Sequence, residues 1–239
     1  MKIIIVEGIS DLHFLDFLTS NFCKPFFIKP LSEAEQKNPI FQEIQKNIKN
    51  IYFCQEKSLL ALDFNGQNNI TENKINILLS EINEKNPGLE CELLIIVDND
   101  TNPTQTAEKI NKIIQKLKEK AKDNEKDKYQ LKSIQTLTLP NEKSVGCLES
   151  LIINILPEEN FHCFDGLISC LEKSSSVKIP NENTIAKLKL NHYNTFFNDE
   201  DKKNVSTSIV NILKNTQAQY TKEKKIFYHI LNKTKILKI

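Results

Sequence analysis

Three carboxylates stand at places where they could share one cation. Glu7 closes the apolar run Ile3-Ile4-Ile5-Val6, and Asp98 and Asp100 close the run Leu93-Leu94-Ile95-Ile96-Val97. Both runs are short, largely β-branched and followed by helix-like sequence, as expected of buried parallel strands. Parallel neighbours bring their carboxyl ends to one crevice, where open α/β sheets place their sites. Three carboxylates converging there repel one another unless a cation sits between them. Mg²⁺, held through carboxylates, water and substrate phosphates, suits such a place, with Mn²⁺ as an alternative. Asp98 and Asp100 are two residues apart and share one side of a strand-like exit. Glu7 and Asp11 are four apart, which puts them on one face only if the following helix begins early. Metal-dependent phosphate chemistry is therefore the leading functional expectation.

The elements that must hold these groups follow from the spacing of apolar residues. After the first strand, Gly8 gives a tight exit and Ser10 is expected to cap a helix from Asp11 to about Asn21, with Leu12, Leu15 and Leu18 inward. Residues 23–58 contain Pro25, Pro30 and Pro39 and read as an insertion, helical from Ile40 to Ile51. Leu59 to Phe64 is the second strand, closed by Asn65-Gly66. An amphipathic helix over Ile70–Asn86, stopped at Pro87-Gly88, precedes the strand Leu93–Val97. Pro103-Thr104 opens a helix to about Ala121, and Lys118–Lys128 reads as a solvated charge run. Leu131 to Leu139 is a further strand, and Leu148, Leu151, Ile152 and Ile155 mark a short helix after it. The alternation predicts an α/β fold with a four-stranded, mainly parallel sheet flanked by helices. From residue 157 only helical signals remain, so a domain over 1–156 and a helical extension over 157–239 are expected.

Composition bounds the function classes. The 239 residues are 39% hydrophobic and 26% charged, with only five glycines and eight prolines, which suits a globular α/β protein rather than a disordered or all-β one. No apolar run approaches the ~20 residues of a membrane span, and the N-terminus runs straight into a strand carrying Glu7, so a cytoplasmic protein is expected. The six scattered cysteines form no C-x-x-C pair and read as reduced thiols. All 32 basic residues are lysines, so phosphate contacts must rest on lysine, backbone amides and metal rather than on arginine forks. Residues 202–239 carry nine lysines against the single acid Glu223, while the whole chain carries a net charge of only +1. That asymmetry marks a segment able to face a polyanion, with Lys222, Lys224 and Lys225 as candidate nucleic-acid contacts. Tyr220, Phe227 and Tyr228 among them could stack on bases or be the buried face of a helix.

The sequence Glu7-Gly8-Ile9-Ser10-Asp11 after the first strand, with Asp98-Asn99-Asp100 after a later one, resembles the TOPRIM domain. That domain is shared by topoisomerases, bacterial primases, recombination-repair proteins and overcoming-lysogenisation-defect nucleases. The resemblance covers residues 1–155 and is closest to small stand-alone TOPRIM-like proteins, whose Leu-Glu pair opening the helix after the fourth strand is matched by Leu148-Glu149. It implies a compact Rossmann-type sheet, with Asp98 and Asp100 as Mg²⁺ ligands. Glu7 is implied as general acid/base or ligand, Asp11 as a second catalytic acid and Glu149 as a further ligand. The implied activity is Mg²⁺-dependent phosphodiester chemistry on DNA or RNA, of nuclease type.

Other readings compete. The same scaffold could serve a non-catalytic binding or adaptor protein; no Walker A sequence occurs, so an ATP-driven step would need a separate ATPase partner. Asp98-x-Asp100 could be the metal motif of a nucleotide-sugar transferase, against which stand Glu7 and the short first crossover. A phosphoacceptor receiver would require paired acids after the first strand, where Glu7-Gly8 stands instead.

Overall fold

Helices cover both faces of a twisted sheet whose central strand is the first in the chain. The computed structural model describes residues 1–22, 28–48, 50–122, 129–140, 146–154, 156, 158–174 and 178–197. Strands β1 (Lys2–Val6), β2 (Lys29–Pro30), β3 (Ile51–Cys54), β4 (Leu59–Asp63), β5 (Glu90–Asp98) and β6 (Gln130–Leu139) form one sheet in the order β2-β3-β4-β1-β5-β6. Strands β4, β1, β5 and β6 run parallel, and β3 and β2 add on antiparallel beyond β4. The fold is thus α/β, but its sheet is six-stranded and mixed rather than four-stranded. The two additional strands come from the segment read as an insertion. Pro30 sits at the sheet edge, where a missing N–H costs no ladder bond, and Ile51–Cys54 has a β-rich composition that the preceding helical pattern obscured.

The helices are α1 (Ile9–Phe22), α2 (Glu33–Gln36), α3 (Pro39–Asn47), α4 (Glu72–Lys85), α5 (Pro103–Lys122), α6 (Leu148–Ile153), α7 (His162–Glu172) and α8 (Glu182–Phe197). Strand alternation sends residues to opposite faces. Ile4, Val6, Leu94 and Ile96 lie in one apolar cluster with α1, α6 and α8, through residues such as Leu15, Ile152 and Leu190. Ile3, Ile5, Leu93, Ile95 and Val97 lie in the other, with Ile44 of α3, Leu79 of α4 and Leu117 of α5. The chain therefore leaves β1 toward one face and β5 toward the other. Such divergence between adjacent parallel strands opens a crevice at their carboxyl ends.

Two local departures shape that crevice. Helix α1 begins at Ile9, not Asp11, because Gly8 O accepts from Asp11 N (3.1 Å) and the Asp11 carboxylate Oδ2 accepts from Gly8 N (2.8 Å). Asp11, rather than Ser10, thus closes the helix start. On the far side, Gly146 N donates to Asp100 O (2.8 Å) in an isolated antiparallel bridge, which fastens the start of α6 to the loop after β5. Gly146 has φ +142°, and a Cβ there would lie 3.0 Å from Pro140 Cδ and 3.1 Å from Ser150 Cβ. Gly146→Ala is expected to destabilise the protein by about 1–3 kcal/mol. At about 2–4 °C per kcal/mol for a chain of this size, calorimetry should show a Tm lowered by several degrees; an unchanged Tm would show that the backbone here relaxes freely.

Candidate metal centre

The crevice collects four of the expected side chains from four elements. Glu7 leaves the end of β1, and its Oε2 accepts from the backbone N–H of Asp98 across the strand pair (3.3 Å). Asp98 is the last residue of β5, and its Oδ1 accepts from Leu148 N at the first turn of α6 (3.0 Å). Glu149, 6% exposed, is the next residue of that turn. Asp11, 7% exposed, completes the group from α1. Each carboxylate thus faces at least one like charge inside a protein wall, and the backbone amides offset only part of the repulsion.

The protonation equilibria record that conflict. Burial pushes the Asp11 carboxyl up to about 7, against the Gly8 N–H that lowers it, with Glu7, Glu149 and Asp63 pushing the same way as burial. Asp98 is raised well above the ordinary carboxylate range, first by burial and then by Asp11, Glu7, Glu149 and Asp100. Glu7 is raised by burial more than the Asp98 and Gln67 backbone N–H groups lower it. Groups held this way are those that a divalent cation would relieve.

Asp100 lies near these acids but is held differently. Its backbone is left-handed (φ +48°), and its Oδ1 accepts from Asn183 Nδ2 of α8 at 2.9 Å. The strand-like exit expected to aim Asp98 and Asp100 the same way ends after Asn99: Asn102 N donates back to Asn99 O (3.2 Å) and the chain turns. The tightest set of potential ligand atoms belongs to Asp98, Glu149 and Cys147, all within 4.8 Å of one another. The sequence reading missed Cys147, although its place two residues before Glu149 was a usable signal. Burial, then Glu149 and Asp98, push its thiol up to about 12, so the donors presented to a hard cation are the carboxylate oxygens.

A second omission is Lys187 on α8. Burial pulls its ammonium pKa down, but Glu149, Cys147, Asp98 and Asp100 beside it raise it further, and the net direction is up. It brings the crevice a positive charge that no motif announced. Asp63, at the end of β4, is only 6% exposed, its carboxylate accepting from Asn50 Nδ2 (2.8 Å) and Asn65 N (2.6 Å). Lys222, Lys224 and Lys225 lie outside the described residues, as do the aromatic residues among them. No helix among the described residues is long and apolar enough to cross a membrane.

The raised carboxyls fix the sign of a pH dependence. A carboxyl raised from 3.8 to about 7 on folding binds more proton in the native state across that interval, so stability falls as pH rises through it. Without divalent metal, the Tm should be higher near pH 5 than near pH 8. Asp11→Asn, which keeps an oxygen to accept from Gly8 N and removes the charge, should flatten that slope in calorimetric scans with a chelator present. A slope as steep as that of the parent protein would mean that Asp11 is not one of the groups responsible.

Relatives add a family and a fold. The family model described as "Protein of unknown function (DUF3226)" matches residues 1–234. No curated protein matches the chain. The crystal structure of a hypothetical protein from Pyrococcus horikoshii OT3 is similar, with a TM-score of 0.55 at 15% identity, over 99% of this chain and 95% of that one. At that identity the likeness is one of fold alone. By the extent of the family match, the chain belongs to the DUF3226 family of proteins of unknown function.

Proposed function

We propose that the crevice is a divalent-metal site for phosphodiester chemistry on nucleic acid, in the manner of a nuclease-type TOPRIM domain. The observation that carries this reading is the convergence of Glu7, Asp11, Asp98 and Glu149 at adjacent parallel strand ends, with burial and like charge raising three of them. A purely structural role does not account for such a group, since apolar residues at these positions would be less costly. The donor chemistry fits Mg²⁺ or Mn²⁺: carboxylate oxygens of Asp98 and Glu149 would hold the ion, with Glu7 in reach of the same space. A bound ion there would stabilise the charge on entering and leaving oxygens at phosphorus.

The chain's own groups then divide the remaining work. Asp11, pushed up to about 7, can hold or release a proton near neutral pH, as a general acid or base must, and Glu7 is shifted in the same direction. The Lys187 ammonium stands where it can face the negative charge of a phosphoryl group. The backbone N–H groups of Asp98 and Leu148 fix the Glu7 and Asp98 carboxylates, so their geometry does not depend on the substrate.

Calorimetric titration with Mg²⁺ and Mn²⁺ should show binding that Asp98→Asn/Glu149→Gln abolishes. The same pair of substitutions should cut cleavage of labelled single- or double-stranded DNA or RNA by at least about 100-fold, since loss of a ligand costs no less than loss of its supporting shell. Metal binding without cleavage of any of the four substrates would favour the non-catalytic adaptor. Absence of metal binding by the folded parent protein would remove the catalytic reading.

A further inference from the structure

Asp100 borders a second feature, a cleft of about 840 Å³ between the loop after β4 and helix α5. One wall carries Lys109, Lys112 and Lys116. Their spacing of three and four residues sets them one above another on a single helix face. Lys109 is fastened across the cleft, its Nζ donating to Gln67 O (3.1 Å) and Asn68 Oδ1 (3.4 Å). Lys112 and Lys116 are exposed and enter no ion pair among the described residues. Of the other acids lining the cleft, Glu72 is taken by Lys120, which leaves Glu108 beside the row. At 1.5 Å per residue the row is about 10 Å long, roughly the rise of three nucleotides along one strand.

The remaining lining is mostly amide and hydroxyl with the two aliphatic residues Ile70 and Ile113, and no aromatic side chain contributes to it. Such a surface offers charge and hydrogen bonds but no stacking platform, which suits phosphate and sugar rather than bases. Helices α4 and α5 both begin at the cleft, through Thr71 and Asn102, and their positive ends add to the lysine field. The cleft borders the carboxylate crevice: Asn99 and Asp100 of its lining follow Asp98 in the chain, and Gln67 of its lining donates from Nε2 to Asp98 O (2.9 Å).

We infer that this cleft carries the phosphodiester backbone of a nucleic-acid strand to or from the crevice, with Lys112 and Lys116 contacting the phosphates next to the one at the carboxylates. The inference rests on the reading of the crevice as a phosphodiester site. It assigns the substrate contact to α5, apart from any contribution of the lysines beyond residue 202.

The test is fluorescence anisotropy of a labelled mixed-sequence oligonucleotide, single-stranded and duplex, with the full-length chain in Ca²⁺ at a series of salt concentrations. Lys112→Ala/Lys116→Ala should weaken binding at least about 10-fold and lower the slope of log affinity against log salt by about 1.4–1.8, the share of two phosphate contacts. Its melting curve and Mg²⁺ titration should stay those of the parent protein. Lys37→Ala/Lys85→Ala removes the same charge outside the cleft and should change affinity little. Equal losses in the two double variants, parent-like binding by Lys112→Ala/Lys116→Ala, or no oligonucleotide binding by the parent protein would each overturn the inference. The Mg²⁺ titration keeps the failures apart. Metal binding without lysine dependence overturns the cleft and leaves the crevice reading. Lysine-dependent binding without metal supports the cleft as a backbone site and removes the metal chemistry.

Discussion

The fixed register of β1 against β5 is the constraint on which the rest of the structure depends. Ile5 pairs with Ile95, so Glu7 must meet the end of β5. The pairing is held by side chains with no solvent exposure, among them Ile3, Ile4, Ile5 and Ile95. Each such side chain contributes roughly 1.5–3 kcal/mol. Raising Asp11 from 3.8 to about 7 costs roughly 4 kcal/mol once the group is ionised. Two or three core residues therefore offset one frustrated carboxyl, and the strands around the crevice supply several times that number. The core holds the acids together against their repulsion, and the carboxylates have no freedom to separate.

The surrounding chain is arranged to contain that repulsion. Backbone N–H groups at Gly8, Asp98 and Leu148 each donate to one carboxylate. Two of these three donors lie at helix starts, where N–H groups lack partners and favour negative charge. Helix α8 contributes from further along the chain, through Lys187 and through Asn183, which ties down Asp100. Leu190 and Tyr193 of the same helix share an apolar cluster with Leu148, Leu151 and Ile152 of α6. Packing of α8 on α6 and its polar contacts with the crevice are thus one arrangement: the apolar face of α8 sets the depth at which Asn183 and Lys187 reach the acids.

What was legible in the sequence, and what was not, follows from the range of the interactions. Ile3–Val6 and Leu93–Val97 announce buried strands because they lie under helices on both faces, and continuous apolar runs are the signature of that burial. The amphipathic helices over 72–85 and 103–122 were readable from their own periodicity within a few residues at each end. The short strands Lys29–Pro30 and Ile51–Cys54 were not, since an edge pairing of two to four residues leaves no period to detect. Glu7 and Asp98 stand out because each closes an apolar strand run, whereas Asp11 and Glu149 are singled out only by the resemblance of Glu7-Gly8-Ile9-Ser10-Asp11 and Leu148-Glu149 to the TOPRIM pattern. Asp100 belongs to the same motif, but its left-handed backbone and its hydrogen bond from Asn183, 83 residues distant, leave no local trace in the sequence. Lys187 had no local signal at all: one lysine among 32 basic residues becomes distinctive only when α8 docks.

A chain with net charge +1 is a poor candidate for a polyanion partner if charge is taken as a sum, but position matters more than the sum. Within about 10 Å, the screening length near physiological salt, a ligand feels local groups and little else. The acids here concentrate in a crevice whose charge a bound cation would offset, while α5 presents lysines along one wall of the adjoining cleft. Lysine supplies a point charge without the planar fork by which arginine fixes a phosphate's orientation. On the proposed reading, the cleft would gather and roughly align a strand. Selection of the reacting phosphate would fall to the rigid groups of the crevice, whose carboxylates are held by backbone amides. On that reading, orientation would have to come from a bound metal and from Glu7, Asp98 and Glu149, the residues whose positions the β1–β5 register and the start of α6 determine.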